Sequence, residues 1–163
     1  MIQHPIQPIY NKDSEILILG SFPSVKSREA GFFYGHSQNR FWKVTAAVCG
    51  VDTPTTIEEK KAFLLAQRIA VWDVIHSCDI VGSSDSSIKN VIANDLNIIL
   101  KTADIRQIYV NGKKAEELYN KYIYPQIQRE AICLPSTSPA NAAWSLERLV
   151  EAWECIRNIN RQR

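Results

Sequence analysis

The chain has 163 residues, which is the size of one domain with a single sizeable hydrophobic core. Its 45% hydrophobic and 22% charged residues are ordinary for a globular protein, and the net charge of +2 does not by itself indicate a nucleic-acid-binding protein, although a local basic rim would suffice for phosphates. No hydrophobic run reaches the ~20 residues of a transmembrane helix and the first residues lack a signal-peptide pattern, so we expect a cytoplasmic protein without membrane contact.

Strands and helices alternate along the predicted structure. Four short hydrophobic runs have the continuous pattern of strands buried on both faces: Ile16–Leu19, Ile69–Ile75, Ile108–Val110 and Ala131–Leu134. Helical patterns occur at Arg40–Cys49, Thr55–Arg68 (which opens with capping-box character), Val91–Thr102, Gly112–Tyr122 and Ala142–Ile159. This alternation predicts a three-layer α/β/α sandwich with a central parallel sheet of about four strands, in one domain spanning residues 1–163.

Polar or conformationally special residues follow each predicted strand. These segments are Gly20–Ser24, Asp73 with its neighbours, Asn111 with Gly112, and Pro135–Asn141. Ligands of open parallel sheets bind outside the carboxyl ends of the strands. The four segments therefore predict a binding site at one edge of the sheet.

A cluster of aromatic and amide side chains lies in Tyr34–Trp42. Such a cluster suits a planar polar ring such as a nucleobase, because stacking contributes roughly 1–3 kcal/mol per base and amides read base edges. We expect Tyr34 to face the cleft, and the neighbouring aromatic residues to belong to the core: Phe32, Phe33, Phe41 and Trp42.

Each of these segments also has a purely structural interpretation. Gly20–Ser24 can be a tight turn, and Asn39 and Asn111 can cap the helices that follow them. Ser136–Ala140 can be an ordinary capped helix start. A carboxylate at Asp73, inside a hydrophobic run, must find partners, so it can be a satisfied buried hydrogen-bond acceptor.

The cysteines are scattered singly and form no CxxC pair: Cys49, Cys78, Cys133 and Cys155. This spacing does not favour zinc or an iron–sulfur cluster. We expect buried free thiols in a reducing compartment, and neither a metal nor another cofactor.

The order of the motifs resembles the uracil-DNA glycosylase superfamily from Ile16 to Ile156. The superfamily's first motif, Gly-x-(Asp/Asn)-Pro, resembles Gly20–Pro23, and its Pro-Ser-containing loop before the last helix resembles Leu134–Pro139. Asn39–Lys43 is similar to the Asn-Arg-Phe-Trp-Lys run of the mismatch-specific branch. The resemblance implies the α/β/α sandwich already predicted.

Phe22 stands where the uracil enzymes carry a catalytic Asp or Asn. A phenyl ring cannot orient water or stabilise a sugar cation by hydrogen bonding, so uracil excision by the usual mechanism is not expected. The whole motif pattern is most similar to the hypoxanthine-DNA (deoxyinosine) glycosylase branch. That resemblance implies that Asn39 is the catalytic residue, and that the chemistry is monofunctional and needs no metal.

On this hypothesis the enzyme flips deoxyinosine out of DNA and hydrolyses its N-glycosidic bond. Asn39 orients the attacking water and turns its carbonyl dipole toward the sugar cation. Backbone amides near Ser21 and Phe22 stabilise the departing ring. Asp73 accepts the N1–H of hypoxanthine, and Asn111 supplies a matching amide.

The hypothesis names two further sets of residues. The residues expected to bind the base are Gly20, Ser21, Phe22, Tyr34, Asp73 and Asn111. Those expected to bind DNA are Ser136, Thr137, Ser138, Pro139, Ala140 and Arg40, with Lys26, Arg28 and Arg148 as further phosphate contacts. The expected partner is DNA containing a deaminated base, and the expected state is a monomer.

Three other functions are compatible with the same residues. The first is a uracil- or mismatch-specific glycosylase of the same superfamily. The second is a non-catalytic nucleotide- or DNA-binding α/β module, for which Phe22 is the best support. The third, an unrelated α/β hydrolase with Ser21 or Ser136 as nucleophile, is disfavoured because neither serine lies in a Gly-x-Ser-x-Gly elbow.

Overall fold

The computed structural model describes residues 1–157, and its strands form two sheets. The strands are β1 (Ile2–Gln3), β2 (Ile16–Gly20), β3 (Ile69–Asp73), β4 (Ile75–Asp79), β5 (Lys89–Ala93), β6 (Gln107–Asn111) and β7 (Ala131–Leu134). Four of them form the central sheet in the order β3-β2-β6-β7, and all of its pairs are parallel. The predicted parallel sheet of about four strands is therefore confirmed.

Helices flank this sheet. They are α1 (Val25–Ala30), α2 (Phe41–Cys49), α3 (Ile57–Ala66), α4 (Asn97–Leu100), α5 (Lys113–Leu118), α6 (Tyr124–Ile127) and α7 (Leu146–Trp153), with a 3₁₀ turn at Asp85–Ser87 and a π-helical turn at Tyr119–Ile123. Helix α2 packs against α7, α3 against β3, and α5 against β6 and β7. The predicted α/β sandwich is confirmed.

Local sequence explains the start of α3 and the burial of β2. The Thr56 side chain accepts the N–H of Glu59, and the Glu59 carboxylate accepts the N–H of Thr56, which forms the predicted capping box. Hydrogen bonds from Thr56 and Thr55 lower the pKa of Glu59 to about 2. The side chains of Ile16–Leu19 are fully buried, as expected for a strand covered on both faces.

The second hydrophobic run, predicted as one strand, is divided at Val74. The N–H groups of Val74 and Ile75 still bind the carbonyls of Gly20 and Ser21, at 2.8 and 3.1 Å. The chain then leaves the parallel sheet and enters an antiparallel sheet with the order β1-β4-β5. The sequence did not predict this second sheet.

The helix predicted for Val91–Thr102 is wrong in its first part, because Val91–Ala93 belongs to β5. Lys89, Asn90 and Ile92 of β5 are exposed, and Val91 and Ala93 are half-buried. The strand pairs with β4, so strand pairing overrides a hydrophobic pattern that also suits a helix. The helix that remains is only Asn97–Leu100.

The last helix begins later than predicted, at Leu146, where Ser145 caps it by accepting the N–H of Arg148. The predicted end at Ile159 lies outside the described residues. Trp153 anchors the helix, since its ring is fully buried and its Nε1–H donates to the Pro135 carbonyl at 3.0 Å. Helix α7 therefore holds the start of the loop that follows β7.

The four cysteines have free thiols, as predicted. Cys78 is fully buried as predicted, whereas the other three are only partly buried: Cys49, Cys133 and Cys155. Among residues 1–157, no helix has the length and hydrophobicity to cross a lipid bilayer.

Replacing Trp153 with Phe is expected to destabilise the protein by about 1–3 kcal/mol, because the buried Pro135 carbonyl loses its donor and some packing volume is lost. Urea unfolding followed by circular dichroism measures this as a lower midpoint at an unchanged slope. Trp144→Phe is the matched control, since the Trp144 side chain is half-exposed and donates no hydrogen bond to residues 1–157. An equal loss in both variants would contradict the role of the Trp153–Pro135 bond.

Candidate active site

A cavity of about 520 Å³ opens at the carboxyl ends of the parallel strands. Strand β2 lies between β3 and β6, and the chain passes from one side of β2 to the other between these two strands. Such a switch point leaves a crevice outside the strand ends. Gly20 at the end of β2 and Asn111 at the end of β6 both line the cavity.

Most of the residues predicted for the site line this one cavity. They are Gly20, Ser21, Phe22, Tyr34, Asn39, Asp73, Asn111, Ser136, Thr137, Ser138 and Ala140. Pro139 and Arg40 belong to the same region but do not line the cavity. The predicted convergence of four strand ends therefore agrees with the geometry.

A chain of hydrogen bonds connects Asn111, Thr137 and Asn39. The Asn111 Nδ2 donates to the Thr137 hydroxyl at 3.0 Å, and Asn111 Oδ1 accepts the backbone N–H of Thr137 at 3.1 Å. The Thr137 hydroxyl in turn donates to Asn39 Oδ1 at 2.9 Å. Thr137 binds both the oxygen and the nitrogen of the Asn111 amide, so the direction of donation is fixed for all three hydrogen bonds.

Asn39 also holds the start of α2, because its Oδ1 accepts the N–H of Phe41 at 2.9 Å. The N-cap residue of α2 is Arg40, so the capping interpretation of Asn39 is wrong in its position, although the Asn39 side chain does bind the first helical N–H. The same side chain lines the cavity. With two hydrogen bonds to Oδ1, the end of the amide without a partner among residues 1–157 is Nδ2, which can only donate. The capping interpretation of Asn111 is wrong, since its amide binds Thr137 and α5 follows Gly112 without a side-chain cap.

Asp73 presents one oxygen to a partner and leaves the other free. Its side chain is 6% exposed, and Oδ2 accepts a hydrogen bond from His4 Nε2 at 2.7 Å. Oδ1 accepts none from the described part of the chain and lies over Gly20, where a Cβ would come within 2.4 Å of it. Glycine at position 20 is therefore needed for this carboxylate position.

Sequence reasoning missed His4, which lies 69 residues from Asp73. No local pattern connects the two positions. The His4 ring is edge-on to Phe22 and Trp72, with centroid distances of 5.9 and 6.5 Å.

Tyr34 lines the cavity as predicted, but one face of its ring is covered. It stacks on Phe41 with the ring centroids 4.0 Å apart and the planes inclined by 17°. Its backbone has φ of 51°, an uncommon value outside glycine. The hydroxyl is buried and has no hydrogen-bond partner within residues 1–157. Burial, and then the charge of Asp73, raise its pKa, with the nearby Asn111 amide acting in the opposite direction, so the hydroxyl remains a donor at neutral pH.

The segment Gly20–Pro23 offers backbone N–H donors to the cavity. Neither the Ser21 nor the Phe22 N–H donates a hydrogen bond to another residue within 1–157. The Phe22 ring is half-buried, and the Arg28 guanidinium lies over it at 5.6 Å.

The loop that follows β7 is bonded internally and fastened by Arg40. The guanidinium of Arg40 donates to the carbonyls of Ser138 and Asn141, at 3.0 and 3.1 Å, and to that of Trp144. The backbone N–H of Arg40 also donates to the Thr137 carbonyl at 3.0 Å. The capped-helix interpretation of Ser136–Ala140 is wrong, because α7 begins only at Leu146.

The rim of the cavity contains residues that were not predicted. They are Lys113, Lys114 and the serine-rich segment Ser83–Ser86. The sequence offered no signal for the two lysines beyond their place after Asn111 and Gly112. Among residues 1–157, no three His, Cys, Asp or Glu side chains are grouped as they would be to hold a metal ion.

Comparisons with known proteins agree with this geometry. The sequence model of the Uracil DNA glycosylase superfamily matches residues 7–158. A protein from Methanosarcina acetivorans named hypoxanthine DNA glycosylase is 34% identical over 162 residues, which cover 96% of this chain and 98% of the relative. A protein of the same name from Methanosarcina barkeri is 30% identical over 148 residues, with 90% and 92% covered.

A structure solved by solution NMR has the same fold. It is a protein from Methanosarcina acetivorans described as a candidate uracil DNA glycosylase, with a TM-score of 0.81 and 33% identity. The similarity covers 98% of this chain and 99% of that one. Since the family match and the curated relatives extend over nearly the whole chain, this protein belongs to the uracil DNA glycosylase superfamily, as the order of its motifs predicted.

Proposed function

We propose that this protein is a monofunctional DNA glycosylase that hydrolyses the N-glycosidic bond of deoxyinosine and releases hypoxanthine from DNA. One observation carries the proposal: a single cavity contains the Asn39 carboxamide and an unpaired carboxylate oxygen of Asp73, at strand ends where this superfamily's motifs lie. The names of the two Methanosarcina relatives support the same substrate.

The cavity suits a base flipped out of the helix. Its volume of about 520 Å³ lies within the range of roughly 300–1,000 Å³ that small-molecule sites occupy. Flipping costs a few kcal/mol, and least for a poorly paired base such as hypoxanthine.

Hypoxanthine has an N1–H donor beside its O6 acceptor. Asp73 Oδ1 is a free acceptor for the N1–H, and the protonated Tyr34 hydroxyl is a free donor for O6. Adenine has the opposite pattern, with an acceptor at N1 and a donor amine. Binding adenine would place its N1 lone pair against a carboxylate, and such unpaired polar groups carry a large penalty.

Bond cleavage transfers the electrons of the glycosidic bond to the purine and leaves a sugar cation. The unpaired N–H groups of Ser21 and Phe22 are available to stabilise the purine as it gains negative charge. Water then adds hydroxide to C1′, and its proton passes to the purine or to solvent, which balances the reaction. A sugar cation is electrophilic enough to need little help from a base.

Asn39 is the proposed catalytic residue. With Oδ1 held by Phe41 and Thr137, the Asn39 Nδ2 is the group that can hold the attacking water, by donating a hydrogen bond to the water oxygen. For Oδ1 itself to accept from water, the Thr137 hydroxyl would first have to rotate away, since Oδ1 already accepts two hydrogen bonds. An amide is not a base near neutral pH, so slower catalysis than with a carboxylate is expected.

Contacts with the DNA backbone involve the cavity rim. Exposed Lys113 lies at this rim and is a better phosphate contact than Arg40, whose guanidinium binds three loop carbonyls. The Ser136–Ala140 loop is proposed to contact the DNA strand beside the flipped nucleotide. The single-domain organisation, the monomeric state and the absence of a cofactor stay predictions.

Uracil is the second candidate substrate, for a specific reason. Its N3–H lies beside O4, so it offers Asp73 and Tyr34 the same donor–acceptor pair as hypoxanthine. Duplexes containing inosine, uracil, xanthine or a thymine mismatch, each treated with enzyme and then alkali, measure base release directly. We expect the inosine strand to be cut fastest, whereas binding without release from any duplex would support the non-catalytic alternative.

Replacing Asn39 with Ala is expected to lower single-turnover release of hypoxanthine by about 100-fold or more, the usual effect of removing a positioned electrostatic group. Binding to inosine DNA should remain. Asn39→Asp keeps an oxygen that accepts from the Phe41 N–H and the Thr137 hydroxyl, but it removes the Nδ2 donor. This variant therefore distinguishes an effect of losing the donor from an effect of losing local structure. Asn97→Ala, at an exposed amide on α4, is the control, and unchanged release by Asn39→Ala would refute the assignment.

Replacing Phe22 with Asn is expected to preserve hypoxanthine release and to increase release of uracil, because an amide returns to the position where uracil enzymes carry one. Competition between inosine and uracil duplexes in one reaction measures the ratio. Phe22→Leu removes the ring without adding an amide and should not change that ratio. If Phe22→Asn abolishes all release, the ring makes a positive contribution that this mechanism lacks.

The logarithm of the DNA-binding constant is expected to fall linearly with the logarithm of salt concentration, because phosphate contacts release counterions. Lys113→Ala should weaken binding of all duplexes and lower the slope by about one. Lys101→Ala is the matched control, since Lys101 is an exposed lysine that precedes the amino end of β6. An affinity independent of salt would exclude DNA as the partner.

A further inference from the structure

The segment before β2 supplies a side chain that binds Asp73 from outside the cavity. Strand β1 pairs with β4, and the N–H of His4 donates to the carbonyl of His76 at 2.6 Å. This places the His4 side chain, which is only 2% exposed, against Asp73. His4 does not line the cavity itself, so any effect on the base must pass through Asp73.

The hydrogen bonds of His4 fix which ring nitrogen carries the proton. Its Nδ1 accepts the backbone N–H of Ile6 at 3.2 Å, so Nδ1 is unprotonated in this arrangement. The hydrogen bond of 2.7 Å to Asp73 Oδ2 must then come from a protonated Nε2. His4 is accordingly a neutral imidazole that donates to the carboxylate.

Aromatic rings hold the imidazole in this position. The rings of Phe22, Phe33 and Trp72 lie at centroid distances of 5.9, 6.1 and 6.5 Å from it. These rings restrict rotation of the His4 side chain, so the donor direction is fixed as well as the tautomer.

We propose that His4 is a positioning residue that holds Asp73 Oδ2 through its Nε2–H and thereby directs Oδ1 into the cavity as an acceptor for a ring N–H of the flipped base. The inference rests on the proposed glycosylase function and deepens it. Each group in this series of hydrogen bonds donates to the next, the Ile6 N–H to His4 and His4 to Asp73. Asp73 Oδ1, at the end of the series, can only accept a hydrogen bond. It therefore selects bases with a ring N–H at the position facing it, which hypoxanthine and uracil have and adenine and cytosine lack.

Without the imidazole, Asp73 has no other side-chain donor among the described residues. The carboxylate would then be free to rotate about its side-chain bonds, and the cavity would lose a fixed acceptor. The Gly20 backbone beneath Oδ1 leaves room for the carboxylate but supplies no side-chain bond to it.

Two variants of His4 test the proposal in single-turnover release of hypoxanthine from inosine duplex. His4→Leu keeps an apolar side chain among the three aromatic rings but removes the donor, and we expect release to slow by about tenfold or more, the effect of losing one hydrogen bond to a charged group. His4→Gln restores an N–H near the Nε2 position and should recover most of the rate. The control is His76→Leu, at an exposed histidine, which should release hypoxanthine at the wild-type rate.

Coupling to Asp73 distinguishes positioning from general support of the fold. If His4 acts through Asp73, His4→Leu should slow release in the wild-type background but have no further effect in an Asp73→Ala background. Equal effects of His4→Leu in both backgrounds, or unchanged release by His4→Leu alone, would overturn the inference.

The imidazole tautomer supplies a readout that does not depend on activity. Long-range ¹H–¹⁵N spectra of the wild-type protein at neutral pH should show His4 protonated at Nε2 only. A proton at Nδ1, or on both nitrogens, overturns the inference even if the variants lose activity. A wild-type protein that releases no base from any duplex overturns the proposed function and this inference with it, whereas an active wild type with an equally active His4→Leu variant overturns the inference alone.

Discussion

The Thr137 hydroxyl sets the orientation of both carboxamides in the site. It accepts from Asn111 and donates to Asn39, and because Thr137 is fully buried no solvent can replace either bond. A carboxamide without such partners could present its oxygen or its nitrogen to the cavity. The loop that carries Thr137 is in turn fastened by Arg40 on one side and by the Trp153–Pro135 bond on the other, so the polarity of the site depends on packing well outside it.

Around Asn39 and Asp73 the site places its donors and its acceptor separately. Donors come from the Asn39 amide and from the N–H groups of Ser21 and Phe22, whereas Asp73 Oδ1 is a carboxylate oxygen that accepts no hydrogen bond from residues 1–157. No carboxylate occupies the position of Phe22, where uracil enzymes carry their catalytic Asp or Asn. On the proposed mechanism, reactivity comes from the sugar cation and selectivity from the edge of the base. The Asn39 amide would then suffice for catalysis, and the Asp73 carboxylate would serve recognition.

The strands of the parallel sheet could be predicted because each is a short hydrophobic run, and β2 and β3 are buried along their whole length. The site followed from the polar residues at the strand ends. Strand β5 could not be predicted, since its hydrophobic pattern also suits a helix and only its pairing with β4 makes it a strand. His4 and Arg40 illustrate a different limit. The His4 side chain binds Asp73, and the Arg40 side chain binds the Ser138 carbonyl. Each contact joins residues far apart in the sequence, and no local sequence pattern predicts such a contact.

Strand β1 has only two residues, and it is the element that brings His4 to Asp73. Short pairings at the edge of a sheet open more readily than the core, so on warming this segment should detach while the parallel sheet is still intact. The protein would then retain its shape and its Asn39 but lose the fixed carboxylate. Selectivity for damaged bases would then be lost at a lower temperature than the folded structure. Between these two temperatures the enzyme would be folded but less selective.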